Sequence, residues 1–549
     1  MRTRTALTRL GALTATGLVA GSLTLISTGT AQAATATPQV TAAEKWVAGM
    51  LGGTSSDHAD LLPSSYGGAN YGASADAIIS LAEAGDTTDA TRIATALKNG
   101  IDSYIAGDAY GDTGSTYSGS AAKAAVALAA AGIDPSSVTT AGGSNLVTRL
   151  EGTVQPSGRI QDTSQYGDYA NVLGQAFAAN ALTQAGSTDA SRATTFLLSQ
   201  QCGGGWFRQS FTETKDASGN QVGTNTSCDA DPKSSPSVDA TATAVLNLLP
   251  QLDTSATAAR AIGRAETWLV SVEDADGGWG DSSVGGASNA NTTGLVVRAL
   301  GQLGHTLAAE KGAEWLRGTQ LRNVGACAPY AAGDLGAIAY DHSAWATAQK
   351  SHVSGSLDQF VVAASQALSA LQYVPATGSA PKVTGPAGYA RAGTAAAYTV
   401  SKLAPGASAC VSDSTSKELV ASGIAGTTSA KLTLPAGTAN RTVAVVADDN
   451  NKASTITKVL AAKKLFPKLS ATRVKVGGKE TVTVSGLAAG EKVAIKLRSA
   501  TVASGSASST GVYKATFTVK GALGTAAVVA TGQFADRTGT TNLTVVRAS

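Results

Sequence analysis

The sequence predicts a closed ring of about six helical hairpins followed by two small β-sandwiches. Three observations carry this. A bulky apolar residue recurs with a basic spacing near 46 between Trp46 and Trp315. Six stretches following these anchors are dominated by Ala, Leu and Val. Beyond Tyr373 the texture changes to short Val/Thr/Ala runs broken by Gly, Pro, Asn and Ser. A fixed period of this size marks a repeat architecture.

The anchors are Trp46, Tyr104, Leu150, Phe196, Trp268 and Trp315, spaced 58, 46, 46, 72 and 47 residues apart. Two insertions explain the long spacings, one around Gly53–Ser65 and one around Arg208–Pro236. In the last four units Gln or Glu stands five positions after the anchor: Gln155, Gln201, Glu273 and Gln320. The clearest turns follow two of these, Cys202-Gly203-Gly204-Gly205-Trp206 and Asp276-Gly277-Gly278-Trp279-Gly280. Glycine pairs let the turn backbone pack closely, and a Trp there covers a helix end.

The second helix of each unit is expected at 75–84, 121–131, 172–182, 240–249, 293–303 and 360–371. A helix apolar nearly all round is buried on all sides. The first helices carry more charge, as at Arg92, Lys98, Arg260, Arg264, Glu310, Lys311 and Glu314, and are expected outside. Six inner helices ringed by six outer ones make an α/α toroid over residues 41–373. Such a ring has no terminal repeat that needs a polar cap.

The turns at Trp268 and Phe196, and less strongly at Trp315, resemble the prenyltransferase and squalene-cyclase repeat: aromatic-Leu, Gln five on, then Asp-Gly-Gly-Trp-Gly. The resemblance covers roughly 330 residues and implies the terpenoid cyclase-like α/α toroid. Relatives with that fold include terpenoid cyclases, prenyltransferase β-subunits, complement-like thioester domains and vitamin B12 carriers. Most of their chemistries lack residues here. The cyclase acid Asp-x-Asp-Asp is absent; Asp229-Ala230-Asp231-Pro232 comes nearest. Cation-holding aromatics are missing from the inner helices apart from Phe177 and Phe360. A prenyltransferase zinc set would need Asp239, Cys327 and His342 or His352, whose flanks do not match. The thioester segment Gly-Cys-Gly-Glu-Gln is absent. No metal and no cofactor are expected.

Hydrolase signals are equally thin. His58, His305, His342 and His352 stand in no motif, and Ser354-Gly355-Ser356 is only a fragment of a nucleophile elbow. Asp274, Asp276 and Asp281 alternate like a calcium loop but lack its distal Glu, so a capped turn is the better account.

Parallel inner helices start at one end of the ring, and that mouth is the default ligand site. Asn70, Tyr166, Asn171 and Asn289 lie near those starts. The candidate ligand-binding set there is Tyr71, Tyr117, Asp168, Tyr169, Asp239, Asn291 and Asp358. Tyr and Asn hold sugars and other polar ligands, while for any single residue capping and interhelix packing are the better account; as a set the mouth stays the ligand site. The reading preferred is a non-catalytic binding protein for a small or polymeric polar ligand, such as a glycan. The alternative is a glycan hydrolase or lyase using Asp76, Asp168, Asp239 and Asp358, with two carboxyls as acid and base. A diverged cyclase comes third.

The ends bound the setting. Arg2, Arg4 and Arg9 precede an apolar stretch from Leu10 to Ile26, and Ala31-Gln32-Ala33 is a small-x-small site. Residues 1–33 therefore read as a secretory signal cleaved after Ala33, with no membrane span afterwards and a secreted product. Removing them leaves 38 basic and 38 acidic residues. That balance excludes a nucleic-acid binder of the usual basic kind. In an oxidising compartment the four cysteines pair, and four allow three connectivities. Cys202–Cys228 would close the second insertion, and Cys327–Cys410 would staple the ring to the first sandwich. Residues 374–381 are a linker, and 382–464 and 465–549 resemble bacterial immunoglobulin-like domains by texture. The last carries 11 Lys or Arg from Phe466 onward against Glu480, Glu491 and Asp536. Such a module suits an anionic envelope polymer, or serves as a spacer with a Lys-rich surface.

Overall fold

The computed structural model describes residues 37–548 apart from 53–59, 282–285, 328–329, 376–379, 422–425, 436–439, 449–450 and 462. The expected signal segment, residues 1–33, and His58 lie outside the described residues, as does part of the first insertion.

Fourteen α-helices occupy the first two thirds of the described chain: α1 (Pro38–Met50), α2 (Tyr71–Ala84), α3 (Thr87–Asn99), α4 (Ile101–Ile105), α5 (Ser118–Ala130), α6 (Leu146–Glu151), α7 (Val172–Gln184), α8 (Ala190–Ser199), α9 (Val238–Leu248), α10 (Ala256–Ser271), α11 (Ala290–Gln302), α12 (Thr306–Thr319), α13 (His342–Ser351) and α14 (Leu357–Ala367). Helices α2, α5, α7, α9, α11 and α14 each pack on the next, and α14 packs back on α2. The inner ring is therefore closed, as the repeat predicts. The outer helices are α1, α3, α6, α8, α10 and α12, each against an inner partner. The predicted inner segments match these helices to within a few residues at each end.

Side-chain caps start four of the six inner helices, α2, α7, α9 and α11. Asn70, Asn171, Ser237 and Asn289 accept from the backbone N–H groups of Ala73, Gly174, Ala240 and Thr292 at 2.9–3.1 Å. These are N-caps, each contributing about 1 kcal/mol. Three of them are Asn residues that the sequence places at the mouth, and the structure gives them this capping role.

The repeat turn has a definite task, which is to hold the next outer helix. Gln201 Nε2 donates to Gly205 O at 2.8 Å and to Ala261 O of α10 at 2.9 Å. Gln320 Nε2 donates to Gln39 O of α1 at 2.9 Å and to Gly336 O at 3.3 Å. Glu273 makes the same connection by charge, to Lys311 of α12 at 3.0 Å. In the weaker unit the role moves to Gln175, which donates to Gly158 O and to Ala193 O of α8. Gly336 shows why glycine is needed: its φ is +98°, and a Cβ would lie 1.9 Å from Ala42 O of α1. Trp279 is fully buried and donates its indole N–H to Leu269 O at 2.8 Å, sealing the end of α10.

Two insertions depart from the simple repeat. The second carries a small hairpin, β1 (Glu213–Lys215) and β2 (Gln221–Gly223), tied by the Cys202–Cys228 disulfide. The connection before α14 carries an extra helix, α13.

Sixteen further strands follow: β3 (Lys382–Thr384), β4 (Tyr389–Arg391), β5 (Ala395–Ser401), β6 (Ser408–Ser412), β7 (Lys417–Ala421), β8 (Thr428–Thr433), β9 (Asn440–Ala447), β10 (Lys452–Leu460), β11 (Phe466–Leu469), β12 (Arg473–Lys475), β13 (Lys479–Ser485), β14 (Lys492–Leu497), β15 (Ala500–Ser506), β16 (Tyr513–Thr518), β17 (Gly524–Thr531) and β18 (Thr538–Val546). The first sandwich has sheets β4-β10-β9-β6-β7 and β3-β5-β8. The second has β12-β18-β17-β14-β15 and β11-β13-β16. Counted from each first strand, the two orders are identical, and in both the edge strand pairs parallel to the last strand. The sandwiches are thus two copies of one topology, each with its own apolar core.

Ring and first sandwich are locked together. Arg317 of α12 and Asp448, both essentially inaccessible, pair at 2.6 Å. Arg322 donates to Asp448 O at 2.8 Å, and Cys327 is bonded to Cys410. Within the second sandwich, buried Arg537 grips both carboxylate oxygens of Glu491 at 2.6 and 2.7 Å; between the sandwiches, Tyr389 Oη donates to Ala489 O. Among the described residues no helix is long and apolar enough to cross a membrane.

Candidate functional site at the mouth of the ring

The connections that carry the exposed tyrosines and most of the candidate acids precede inner helices, and so gather at one mouth. Most carboxylates there hold these connections in shape. Asp168 is buried, pairs with Arg159 at 2.5 Å and accepts from the N–H groups of Asp162, Ala170 and Gly223. Asp358 accepts from Ser65 N at 2.8 Å and from the Ser65 hydroxyl. Asp112 accepts from Ser164 Oγ, Gln165 N and Tyr117 Oη, joining two neighbouring connections. Asp281 is fully buried and accepts from Ser237 Oγ at 2.6 Å and Asp239 N at 3.1 Å.

Asp239 differs. It is the second residue of α9, and its Oδ1 is buried without a hydrogen-bond partner. Burial pushes its carboxyl up to about 6; a Thr292 hydrogen bond opposes this and the charge of Asp281 adds to it. Asn291, the second residue of the adjacent α11, also has a buried Oδ1 with no partner. Tyr340 stands within electrostatic reach, its phenol held above the usual tyrosine value by burial and by the charges of Asp239 and Asp341. Asp239, Asn291 and Tyr340 thus combine one protonatable acid with one open acceptor.

The tyrosines divide in two. Tyr71 stacks on Tyr104, ring centroids 5.9 Å apart, and Tyr117 lies partly buried over Gly107. Tyr66, Tyr110, Tyr166 and Tyr169 are instead 96%, 80%, 56% and 59% exposed. They stand on the three connections before α2, α5 and α7. Tyr66 and Tyr110 escaped the sequence reading, which looked close to the helix starts. The four exposed aromatics stand on loops leading into three successive inner helices.

Deeper in, the ring is plugged by polar side chains. Lys123 of α5 pairs with Asp76 of α2 at 2.7 Å and lies 5.9 Å from the Phe177 ring. Arg298 of α11 reaches Glu83 of α2 at 2.7 and 2.9 Å, spanning α14. Gln366 donates to Asp76, Ser369 to Glu83, and Asn180 to Asn247. The inner helices are therefore not apolar all round, as the sequence reading had them. Asp76 and Glu83 sit seven residues apart, two turns along one face, and that spacing was the available signal. The candidate zinc set fails on Cys327, whose thiolate is consumed by Cys410.

No protein-family model matches the sequence, and no curated protein does. Solved structures do. An ent-copalyl diphosphate synthase from Streptomyces platensis is 17% identical over 55% of this chain and 50% of its own, with a TM-score of 0.34. The chain thus spans half the length of that synthase. The type II terpene cyclase MstE from Scytonema is 13% identical over 61% of this chain and 97% of its own, TM-score 0.38. The unsaturated glucuronyl hydrolase of Bacillus sp. GL1 is 14% identical over 60% of this chain and 96% of its own, also at 0.38.

Proposed function

We propose that this is a secreted binding protein whose ring mouth holds a polar ligand, in particular a glycan chain, without cleaving it. The observation that carries this reading is the rim of exposed tyrosines, Tyr66, Tyr110, Tyr166 and Tyr169. Phenol rings stack on pyranose faces while their hydroxyls bond to sugar hydroxyls. The mouth carboxylates fit the same reading, because Asp112, Asp168 and Asp358 are occupied with loop amides and hydroxyls. Two disulfides suit an exported chain. The test is a glycan panel with the wild type and the triple variant Y66A/Y110A/Y166A. Binding lost in the variant, with unchanged melting, supports the reading; equal binding by both sinks it.

A second reading rests on Asp239. A carboxyl raised to about 6, on a helix packed against the one that carries Asn291 with its open Oδ1, is poised to give up a proton near neutrality. Under that reading the protein cleaves the glycan it holds. Slow turnover on the same panel, abolished in D239N with binding retained, would favour it over a pure carrier.

A further inference from the structure

The geometry points to a second site, away from the ring mouth: a basic track along the first sandwich that takes a linear acidic polysaccharide. Two open grooves of about 890 Å³ each flank this sandwich. One lies between α1, the connection after α12 and strands β9–β10, and includes Lys45, Arg322 and Lys452. The other lies between the two sandwiches and includes Tyr389, Lys458 and Lys492.

Strand β10 joins them. Its side chains alternate, and Lys452, Ser454, Ile456 and Lys458 all point outward and are exposed. Six residues at about 3.3 Å each put the two ammonium-bearing positions about 20 Å apart along one face. The residues opposite on β9 include Thr442 and Ala444, so the face carries hydroxyls and small groups. Ile456 is 66% exposed at its centre, an apolar step on which a sugar ring can lie.

The charge balance selects the ligand. Among the described lining residues of both grooves the one carboxylate is Asp448, already neutralised by Arg317. Lys45, Lys452, Lys458 and Lys492 make no ion pair with any described residue. The Arg317–Asp448 pair and the Cys327–Cys410 bond hold the first groove in a fixed relation to β10. A track of spaced cations, fixed in place and open at both ends, matches a chain bearing a negative charge on its repeating sugars. This places polyanion binding on the first sandwich, whereas charge counting alone points to the last.

The probe is polygalacturonate, with uncharged dextran as control, measured on the full chain at low salt. Wild type is expected to bind polygalacturonate and not dextran, and to weaken as salt rises. K452E/K458E should lose at least tenfold in affinity with an unchanged melting temperature. K468E/K479E removes the same charge from an exposed strand pair of the last sandwich and should lose less than threefold. No polygalacturonate binding by wild type, equal dextran binding, or equal losses in the two variants would overturn the proposal. Y66A/Y110A/Y166A separates the two sites: it should leave polygalacturonate affinity intact, and a loss there would move the polymer to the ring mouth.

Discussion

The side-chain amide of Gln320 donates to the carbonyl of Gln39, 281 positions earlier, and by that bond the last repeat turn grips the first helix of the ring. The same group does the same for α10 from Gln201. A repeat that looks decorative in one dimension is a joint between successive hairpins.

Gln320→Leu should therefore destabilise the ring. It takes the side-chain donor from Gly336 O and the second donor from Gln39 O, whose helical bond remains, and losing a buried carbonyl's partner costs about 1–3 kcal/mol. The expected loss is about 1–3 kcal/mol in urea unfolding monitored by circular dichroism. Gln155→Leu, whose joint is made by Gln175 instead, should cost less than about 1 kcal/mol.

A pair of glycines separates backbone strain from close approach. Gly142 has φ +84° and open space where a Cβ would go, so Gly142→Ala should cost about 1 kcal/mol. Gly336→Ala adds a collision with Ala42 O to a similar φ, and overpacking raises the loss to about 3 kcal/mol or more. Equal midpoints for the two variants would contradict the seating of α1 on this turn.

Asp239 makes stability depend on pH in a definite direction. Its folded carboxyl titrates near 6, above the ordinary value of 3.8. The folded state therefore binds the proton more tightly, and this group's destabilisation grows from about pH 4 and is complete above about pH 6. Two units correspond to at most about 3 kcal/mol. D239N should raise the melting temperature at pH 7.5 and change it little at pH 4. A shift of the same size at both values would mean the carboxyl is not held protonated by burial.

The ring–sandwich lock rests on a buried charge pair. Arg317→Met strands the Asp448 carboxylate and should cost about 3–5 kcal/mol, whereas R317M/D448L should recover most of it. Limited proteolysis near residue 380 reads the coupling: the single variant should be cut faster than wild type, and the double variant at close to the wild-type rate.

The sequence by itself determined the ring, because a 46-residue period, an apolar second helix and a Gln-Gly turn are local patterns that recur. It also pointed to both cysteine pairings and to the change from helix to strand near Tyr373. Tertiary structure alone decided what each mouth residue does. Asp168 and Asp239 are both acids near inner-helix starts, yet Arg159 neutralises one while the other faces Asp281 with an open oxygen. Only the fold brings together Asp76 with Lys123 and Glu83 with Arg298, turning charges that look misplaced in apolar helices into the plug of the ring. Only strand register reveals that Lys452 and Lys458 share one outward face between two grooves. Periodicity is written in neighbours along the chain, whereas partnership, burial and charge depend on residues that lie tens to hundreds of positions apart.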